Sequence, residues 1–189
     1  MTIELEQTPA LVVIDLQTGL RGYPTVHSFD DVVANSAALA EAFRAKGLPV
    51  VLVNVAGSAP GRTERTKASG RAAGGSLPAE ATVLLPELNQ QPSDITVTKT
   101  TLGAFLSTDL DAKLRAVGAT QIILTGVSTT SGVESTARSA YELGYHVGFV
   151  LDAMTDTSAE AHDASVEHQF PKLGELGTTA EVLEALSAR

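Results

Sequence analysis

No cysteine occurs among the 189 residues, and no tryptophan. The first absence removes disulfides, thiolate metal sites and thiol nucleophiles together. Long apolar runs are also missing: stretches such as Ala10–Ile14 and Val50–Val53 fall far short of the roughly 20 residues needed to span a bilayer. Basic residues are in deficit, with 13 Lys and Arg against 22 Asp and Glu and a net charge of −9. That balance argues against nucleic-acid binding, which needs a basic footprint, and reads most simply as solubility. Residues 1–9 carry Glu4 and Glu6 without a basic leader region, so no signal peptide and no membrane partner are expected, and the cytoplasm is.

What is present fits one domain over residues 1–189, long enough to bury a sizeable core. Residues 10–15, ALVVID, form a continuous apolar run ending in a carboxylate, as a strand buried on both faces would. A Gly- and Pro-bearing loop over residues 19–30 follows. Asp30 or Asp31 then caps a helix carrying Val33, Ala37, Ala40 and Phe43, which Gly47 and Pro49 end. VVLVNV, residues 50–55, is the second strand. ITVT, residues 95–98, is the third, ending at Lys99. Thr108 is expected to cap a helix whose Leu110, Leu114 and Val117 face the core. Residues 122–124 begin the fourth strand and 146–151 the fifth, ending at Asp152. A polar helix bearing His162 and His168 follows, then a weak strand near 172–176 and a last helix capped by Thr178 or Thr179. Strands alternating with helices predict a doubly wound α/β domain: a mostly parallel six-stranded sheet, Rossmann-like, with helices on both faces.

Between Gly57 and Gly75 the composition shifts to Gly, Ser, Ala, Pro and Arg without periodicity. Arg62, Arg65, Lys67 and Arg71 face one acid there, Glu64. Two readings stand: a solvated loop, or a lid bringing a guanidinium such as Arg62 to an anionic substrate. Gly70, Gly74 and Gly75 do not form a phosphate loop, since no strand leads into them. His162 and His168 are six apart and do not share the i, i+4 face of a metal pair, so surface or partner-contact positions are expected. Glu134 and Arg138 are spaced for an ion pair. The small residues Ser135, Thr136, Ala137, Ser139 and Ala140 suit close packing, on the sheet or on a second subunit.

Chemistry gathers where parallel strands end. Asp15, Lys99 and the Gly126–Gly132 turn terminate the first, third and fourth strands, and the crossover rule can bring such ends to one crevice. An Asp beside a Lys at a helix N-terminus is a plausible acid/base pair, each perturbing the other. Backbone N–H groups at such a turn favour negative charge. Taken singly, Asp15 would be a turn former and Lys99 a surface lysine; their joint placement argues otherwise.

Those segments carry a family likeness. ALVVIDLQ with Asp15 and Gln17, VTKTTLGAF with Lys99, and LTGVSTTSGVESTARSAYELGY followed by VLDAMTD resemble the isochorismatase-like hydrolase superfamily, over nearly the whole chain. In its amide-hydrolysing members the turn reads roughly G-V-x-T-x-x-C-V, with the Cys as nucleophile. Gly132 stands in the Cys place here, which closes the thiol acyl-enzyme route. The resemblance implies a cis peptide at about Val127–Ser128 and oxyanion donors at the N–H groups of Ser128 and Gly132. Nicotinamidases of the superfamily hold a metal with Asp and His after the second strand. This chain reads VNVAGSAPGRT there, so neither metal nor cofactor is expected.

Isochorismatases also carry Gly in the Cys place, which implies an acid-catalysed vinyl ether hydrolysis with Asp15 as general acid and Lys99 orienting it or binding a substrate carboxylate. The catalytic candidates are therefore Asp15, Lys99 and Gly132. Gln17, Ser128, Thr129, Ser131, Phe105 and Arg62 are candidate contacts to a small anionic substrate. Ser131 is one residue from the nucleophile place and has no evident His to activate it, which weighs against a serine nucleophile. A silent member that binds a small anion or a protein partner in the same pocket is the alternative. The likeness also implies a homo-oligomer, dimer or larger.

Overall fold

The computed structural model describes residues 2–69 and 74–189. Its six strands are β1 (Pro9–Ile14), β2 (Val50–Val55), β3 (Ile95–Lys99), β4 (Gln121–Val127), β5 (His146–Thr155) and β6 (Glu175–Gly177). They form one sheet in the order β3-β2-β1-β4-β5-β6, parallel at every pairing. The helices α1 (Phe29–Ala45), α2 (Glu64–Ser69), α3 (Leu110–Ala116), α4 (Glu134–Glu142), α5 (Ala159–Ala164) and α6 (Thr179–Ser187) complete the chain. The expected doubly wound α/β architecture is present. The direction of winding reverses between β1 and β4, and the crevice above that point is where open α/β sheets receive ligands.

Alternation along β1 divides the interior into two cores. Ala10, Val12 and Ile14 meet Leu110 and Leu114 of α3 and Ala137 and Ala140 of α4 in one. Leu11 and Val13 meet Val32, Leu39 and Phe43 of α1 and Val182 and Leu186 of α6 in the other. The small residues of α4 serve this intrachain packing, since Thr136, Ala137 and Ala140 are all fully buried. Each such burial of a larger apolar side chain stabilises the fold by about 1.5–3 kcal/mol. Among the described residues no helix is long and apolar enough to cross a membrane.

Several boundaries differ from the sequence reading, each for a local reason. Ser28, not Asp30 or Asp31, caps α1, its Oγ accepting the Asp31 N–H at 3.2 Å, with both acids inside the first turn. Thr108 does accept the Leu110 N–H, at 3.1 Å, but Asp109 occupies the cap position of α3. Val117 is 43% exposed and does not face the core. Thr178 caps α6 in a reciprocal box with Glu181. The stretch from Gly57 to Gly75 contains a helix, α2, whose Lys67 pairs with Glu64 at 2.6 Å; the expectations for the side chain of Arg65 and for Gly70 and Arg71 fall outside the described residues.

The largest difference concerns β5. It does not stop at Asp152 but shifts register against β4 between Leu124 and Gly126 and runs on to Thr155. Asp152 instead accepts the N–H and hydroxyl of Thr179, at 2.7 and 2.9 Å, anchoring α6. The extension delivers Asp156 to the same edge of the sheet as Asp15.

Candidate active site

Asp15 follows the last residue of β1 and turns the chain out of the sheet. Its φ of +54° lies in the left-handed region, which Asp tolerates better than most residues. Its N–H donates to Val53 at 2.9 Å, so the turn is tied to the neighbouring strand. Lys99 closes β3, two strands away, and its chain must cross the end of β2, a span of about 10 Å between strand axes. It does so: Nζ lies 2.7 Å from Asp15 Oδ2 and donates also to the Thr101 carbonyl at 3.2 Å.

Both members of this pair are buried, Asp15 at 5% and Lys99 at 2% exposure. Burial disfavours the carboxylate and pushes Asp15 up to about 6, against the opposing pull of the Lys99 ammonium. Lys99 occupies Oδ2 only. Asp15 Oδ1 is buried without a hydrogen-bond partner, an uncommon state for a buried polar atom.

Gly132 faces this carboxylate. A Cβ built there would lie 3.3 Å from Asp15 Oδ2, 3.1 Å from the Val127 carbonyl and 2.8 Å from Ile14 Cγ2. A side chain in the nucleophile place would therefore point at Asp15, and Ile14 would have to give way to admit it. Approach of β4 to β1 depends equally on Gly126, opposite Ile14 in the register. Its φ is +108°, and a Cβ there would stand 2.0 Å from the Ile14 carbonyl oxygen.

The turn joining β4 to α4 is held from three directions. The Val127–Ser128 peptide is cis, as the resemblance implied. Residues 129–133 then form a single π-helical turn, with the Ser128 carbonyl accepting from Ser131 and Val133 at 3.1 and 3.2 Å. Asp156 Oδ2 accepts both the N–H and the hydroxyl of Thr130 at 2.8 Å. Thr129 Oγ1 meets His162 Nδ1 at 2.9 Å. Thr136 Oγ1 donates to the Gly132 carbonyl at 2.6 Å and accepts the Ala104 N–H at 3.1 Å.

Four expectations change here. Thr129 is fully buried with its hydroxyl paired to His162, so it supports the turn and does not face a substrate. Gln17 is fully buried and its amide is committed: Nε2 donates to Val55 and Ala81 at 3.0 and 2.8 Å, and Oε1 accepts the Val55 N–H at 2.7 Å. It clamps the ends of β1 and β2 and has little left for a substrate. Phe105 is a core residue, 8% exposed and packed against Tyr145 with ring centroids 6.0 Å apart. His162 is not at the surface but buried beneath the turn; burial, and then the nearby His27 ring 4.8 Å away, hold it below the usual histidine range. His168 keeps an exposed side chain. Arg62 lies exposed before α2.

Ser128, Thr130 and Ser131 line a cleft of about 170 Å³ with Tyr23, Phe29 and Asp156; Asp15, Lys99 and Gly132 are not among its walls. Asp156 holds this turn and lines the cleft, and sequence reasoning did not single it out. The VLDAMTD segment, which carries part of the family likeness, contained it.

A metal of the nicotinamidase kind does not fit these residues. Near the end of β2 the polar side chain in place is Asn54, which donates to Thr82 and accepts from Thr98, at 2.8 and 2.7 Å. Among the described residues no group of three or more His, Asp or Glu side chains is placed to hold a metal, and the charge of Asp15 is already opposed by Lys99.

A parallel sheet in this order, with an acid–lysine pair and a glycine turn at its switch point, defines an α/β protein of the isochorismatase-like hydrolase fold. The chain belongs to the isochorismatase family: the model of the isochorismatase domain matches residues 9–181. An uncharacterized isochorismatase family protein of Bacillus subtilis, YwoC, is 40% identical over 186 residues, covering 97% of this chain and 96% of that protein. A solved isochorismatase family protein from Burkholderia thailandensis is 42% identical, with a TM-score of 0.91 over 99% of this chain and all of that one. The ureidoacrylate amidohydrolase RutB of Variovorax paradoxus is 30% identical over 177 residues, covering 80% of this chain and 70% of that enzyme.

Proposed function

We propose that this chain is a cysteine-independent hydrolase that cleaves a vinyl ether or related bond in a small anionic substrate, with Asp15 as general acid. The observation that carries the reading is the Asp15 carboxyl: buried, raised to about 6, held on Oδ2 by Lys99 and left without a partner on Oδ1. A general acid works best with a pKa near the operating pH, and such a group contributes typically 10²–10⁴-fold.

In the proposed sequence, a proton on Oδ1 passes to the terminal alkene carbon of the enol ether. The alkene electrons form the new C–H bond, and the ether carbon becomes an oxocarbenium ion. Water adds to that carbon and gives one proton back to Asp15. The hemiketal then breaks its C–O bond, releasing an alcohol and a carbonyl compound. Lys99 holds Oδ2 in place, so that Oδ1 remains the proton carrier. The N–H groups of Ser128 and Gly132 and the positive end of the turn receive the substrate's negative charge.

A panel of vinyl ethers, including isochorismate, with esters and amides, tests this on wild type and Asp15→Asn. The amides are included because RutB, a relative, is named as an amidohydrolase. Expected is turnover of a vinyl ether that falls 10²–10⁴-fold in the variant and declines in wild type as pH rises through about 6. Turnover that survives Asp15→Asn removes Asp15 from its role. A second reading rests on the cleft whose walls exclude Asp15: a protein that binds and does not react. It predicts no turnover across the panel but a melting temperature that rises with ligand.

A further inference from the structure

The loop over residues 100–108, between β3 and α3, touches both the acid–lysine pair and the glycine turn. At its start the Thr101 carbonyl accepts from Lys99 Nζ at 3.2 Å, and the same ammonium lies 2.7 Å from Asp15 Oδ2. At its middle the Ala104 N–H donates to Thr136 Oγ1 at 3.1 Å, and that hydroxyl donates to the Gly132 carbonyl at 2.6 Å. Asp15 Oδ2 is also the oxygen that a Cβ on Gly132 would approach to 3.3 Å. Contacts therefore run in a closed circuit, from Asp15 through Lys99, the loop and Thr136 to Gly132 and back.

Within itself the loop is tied by hydroxyls. Thr101 Oγ1 donates to the Gly103 carbonyl at 2.8 Å and meets Ser107 Oγ at 3.0 Å, and Ser107 Oγ accepts the Thr100 N–H at 3.2 Å. Thr108 Oγ1 donates to the Ala104 carbonyl. A displacement at Ala104 is therefore passed on to Thr101. Leu102 and Leu106, 65% and 84% exposed, bury little. Ala104 and Phe105 anchor the loop in the core, but apolar contact is non-directional and does not fix its height over α4. Two contacts do: Gly103, where a Cβ would stand 3.0 Å from the Ser135 carbonyl, and the buried, directional Ala104–Thr136 hydrogen bond. A helical Thr commonly returns its hydroxyl to the carbonyl four residues back. That of Thr136 does so and accepts from a separate segment as well.

We propose that Thr136 is a positioning residue: through Ala104 and the Thr101 carbonyl it sets how closely Lys99 approaches Asp15, and through the Gly132 carbonyl it holds the turn facing them. That role rests on the reading of Asp15 as the reacting group, whereas the coupling to Lys99 can be measured without substrate.

The carboxyl carbon of Asp15, assigned by its loss in Asp15→Asn, is titrated by NMR in the full-length protein. Among the described residues Lys99 is the charged group that acts on Asp15, pulling it down against burial, so the midpoint reports the Lys99 contact. Lys99→Met gives the shift for complete loss of that contact. Thr136→Val is expected to raise the midpoint by at least about 0.5 pH unit, part of the 1–3 units by which a neighbouring cation lowers an Asp. Thr136→Ser, which keeps the hydroxyl, should return it to the wild-type value. Gly103→Ala, which presses the loop off α4, should raise it with Thr136 intact. In the Lys99→Met background, Thr136→Val should move the midpoint no further. A residue that only packs would lower the melting temperature and leave the midpoint in place. An unmoved midpoint in Thr136→Val overturns the proposal, as does a full-sized shift in the Lys99→Met background or a serine variant that shifts like the valine one. Where Thr136→Val fails to fold, an unmoved midpoint in Gly103→Ala is the overturning result. Failure of turnover in the substrate panel removes the role of Asp15 and leaves the titration unaffected, so the two readings fail separately.

Discussion

Asp15 and Asp156 sit at the same edge of the sheet, at the ends of β1 and β5, and are equally buried at 5% exposure. Their surroundings differ. Asp156 accepts the Thr130 N–H, the Thr130 hydroxyl and the Thr157 N–H, so both of its oxygens are supplied by donors. Asp15 has one lysine on one oxygen and nothing on the other. Burial alone therefore does not define a carboxyl's environment; the number and kind of donors around it do. One of these acids holds a turn together, and the other keeps one buried oxygen without a hydrogen-bond partner.

The sharpest way to break this contrast is stability. Asp156→Ala leaves two backbone N–H groups and a hydroxyl without their acceptor. Hydrogen bonds to a charged group are worth about 1.5–3 kcal/mol each and do not add fully, so a loss of about 3–5 kcal/mol in urea denaturation is expected. The double variant Asp15→Asn with Lys99→Met should behave oppositely. Replacing a buried ion pair by neutral groups of similar size is often neutral or stabilising by about 1–4 kcal/mol, and Asn tolerates the positive φ of this position. The double variant is expected to be at least as stable as wild type and inactive on any substrate turned over by wild type. A double variant that loses more stability than Asp156→Ala would reverse the roles assigned to the two acids.

This contrast also marks how far the sequence could be read. The α/β architecture followed from alternating apolar runs and helical spacing. Asp15 and Lys99 stood out because each ends a strand, and Gly132 because its neighbours match the family turn. Asp156 stayed hidden as a site residue because Asp152 interrupts an apolar run and looks like a strand end. Only the register shift against β4 carries β5 past it. Gln17, Phe105 and His162 were misplaced for a related reason. Each side chain is decided by partners far away in the chain, such as Val55 and Ala81 for Gln17 and Thr129 for His162. Residue type and spacing carry no record of such pairings.

A titration sharpens the same comparison with an effect of intermediate size. Folding raises Asp15 from an ordinary carboxylate value to about 6, so the folded state binds the proton more tightly than the unfolded chain. The stability this provides is fully present below about pH 4 and is lost as pH rises through about 6, a difference of at most about 3 kcal/mol. Wild type should lose stability across that window relative to the Asp15→Asn, Lys99→Met double variant, whose curve lacks this component. Parallel curves for the two proteins between pH 4 and 7, by thermal or urea unfolding, would mean that Asp15 titrates as an ordinary surface acid.

The smallest effect concerns the neighbouring residue of the turn, where Thr129 Oγ1 meets His162 Nδ1 at 2.9 Å and both residues are buried. Thr129→Val keeps the shape and removes the hydroxyl, leaving an imidazole nitrogen unpartnered at a cost of about 1–3 kcal/mol. His162→Phe alone strands the hydroxyl instead, and the double variant strands neither. If this hydrogen bond helps to hold the turn, the double variant should be more stable than the sum of the single losses predicts, with a coupling of about 0.5–3 kcal/mol. Because His162 is held below the usual histidine range, it is neutral at pH 7. Its pKa is lowered by folding, so it contributes stability above its unfolded value and loses it on acidification. The Thr129→Val deficit should therefore be measured at neutral pH. Additive losses in the cycle would assign the grip on the turn to Asp156 and Thr136 alone.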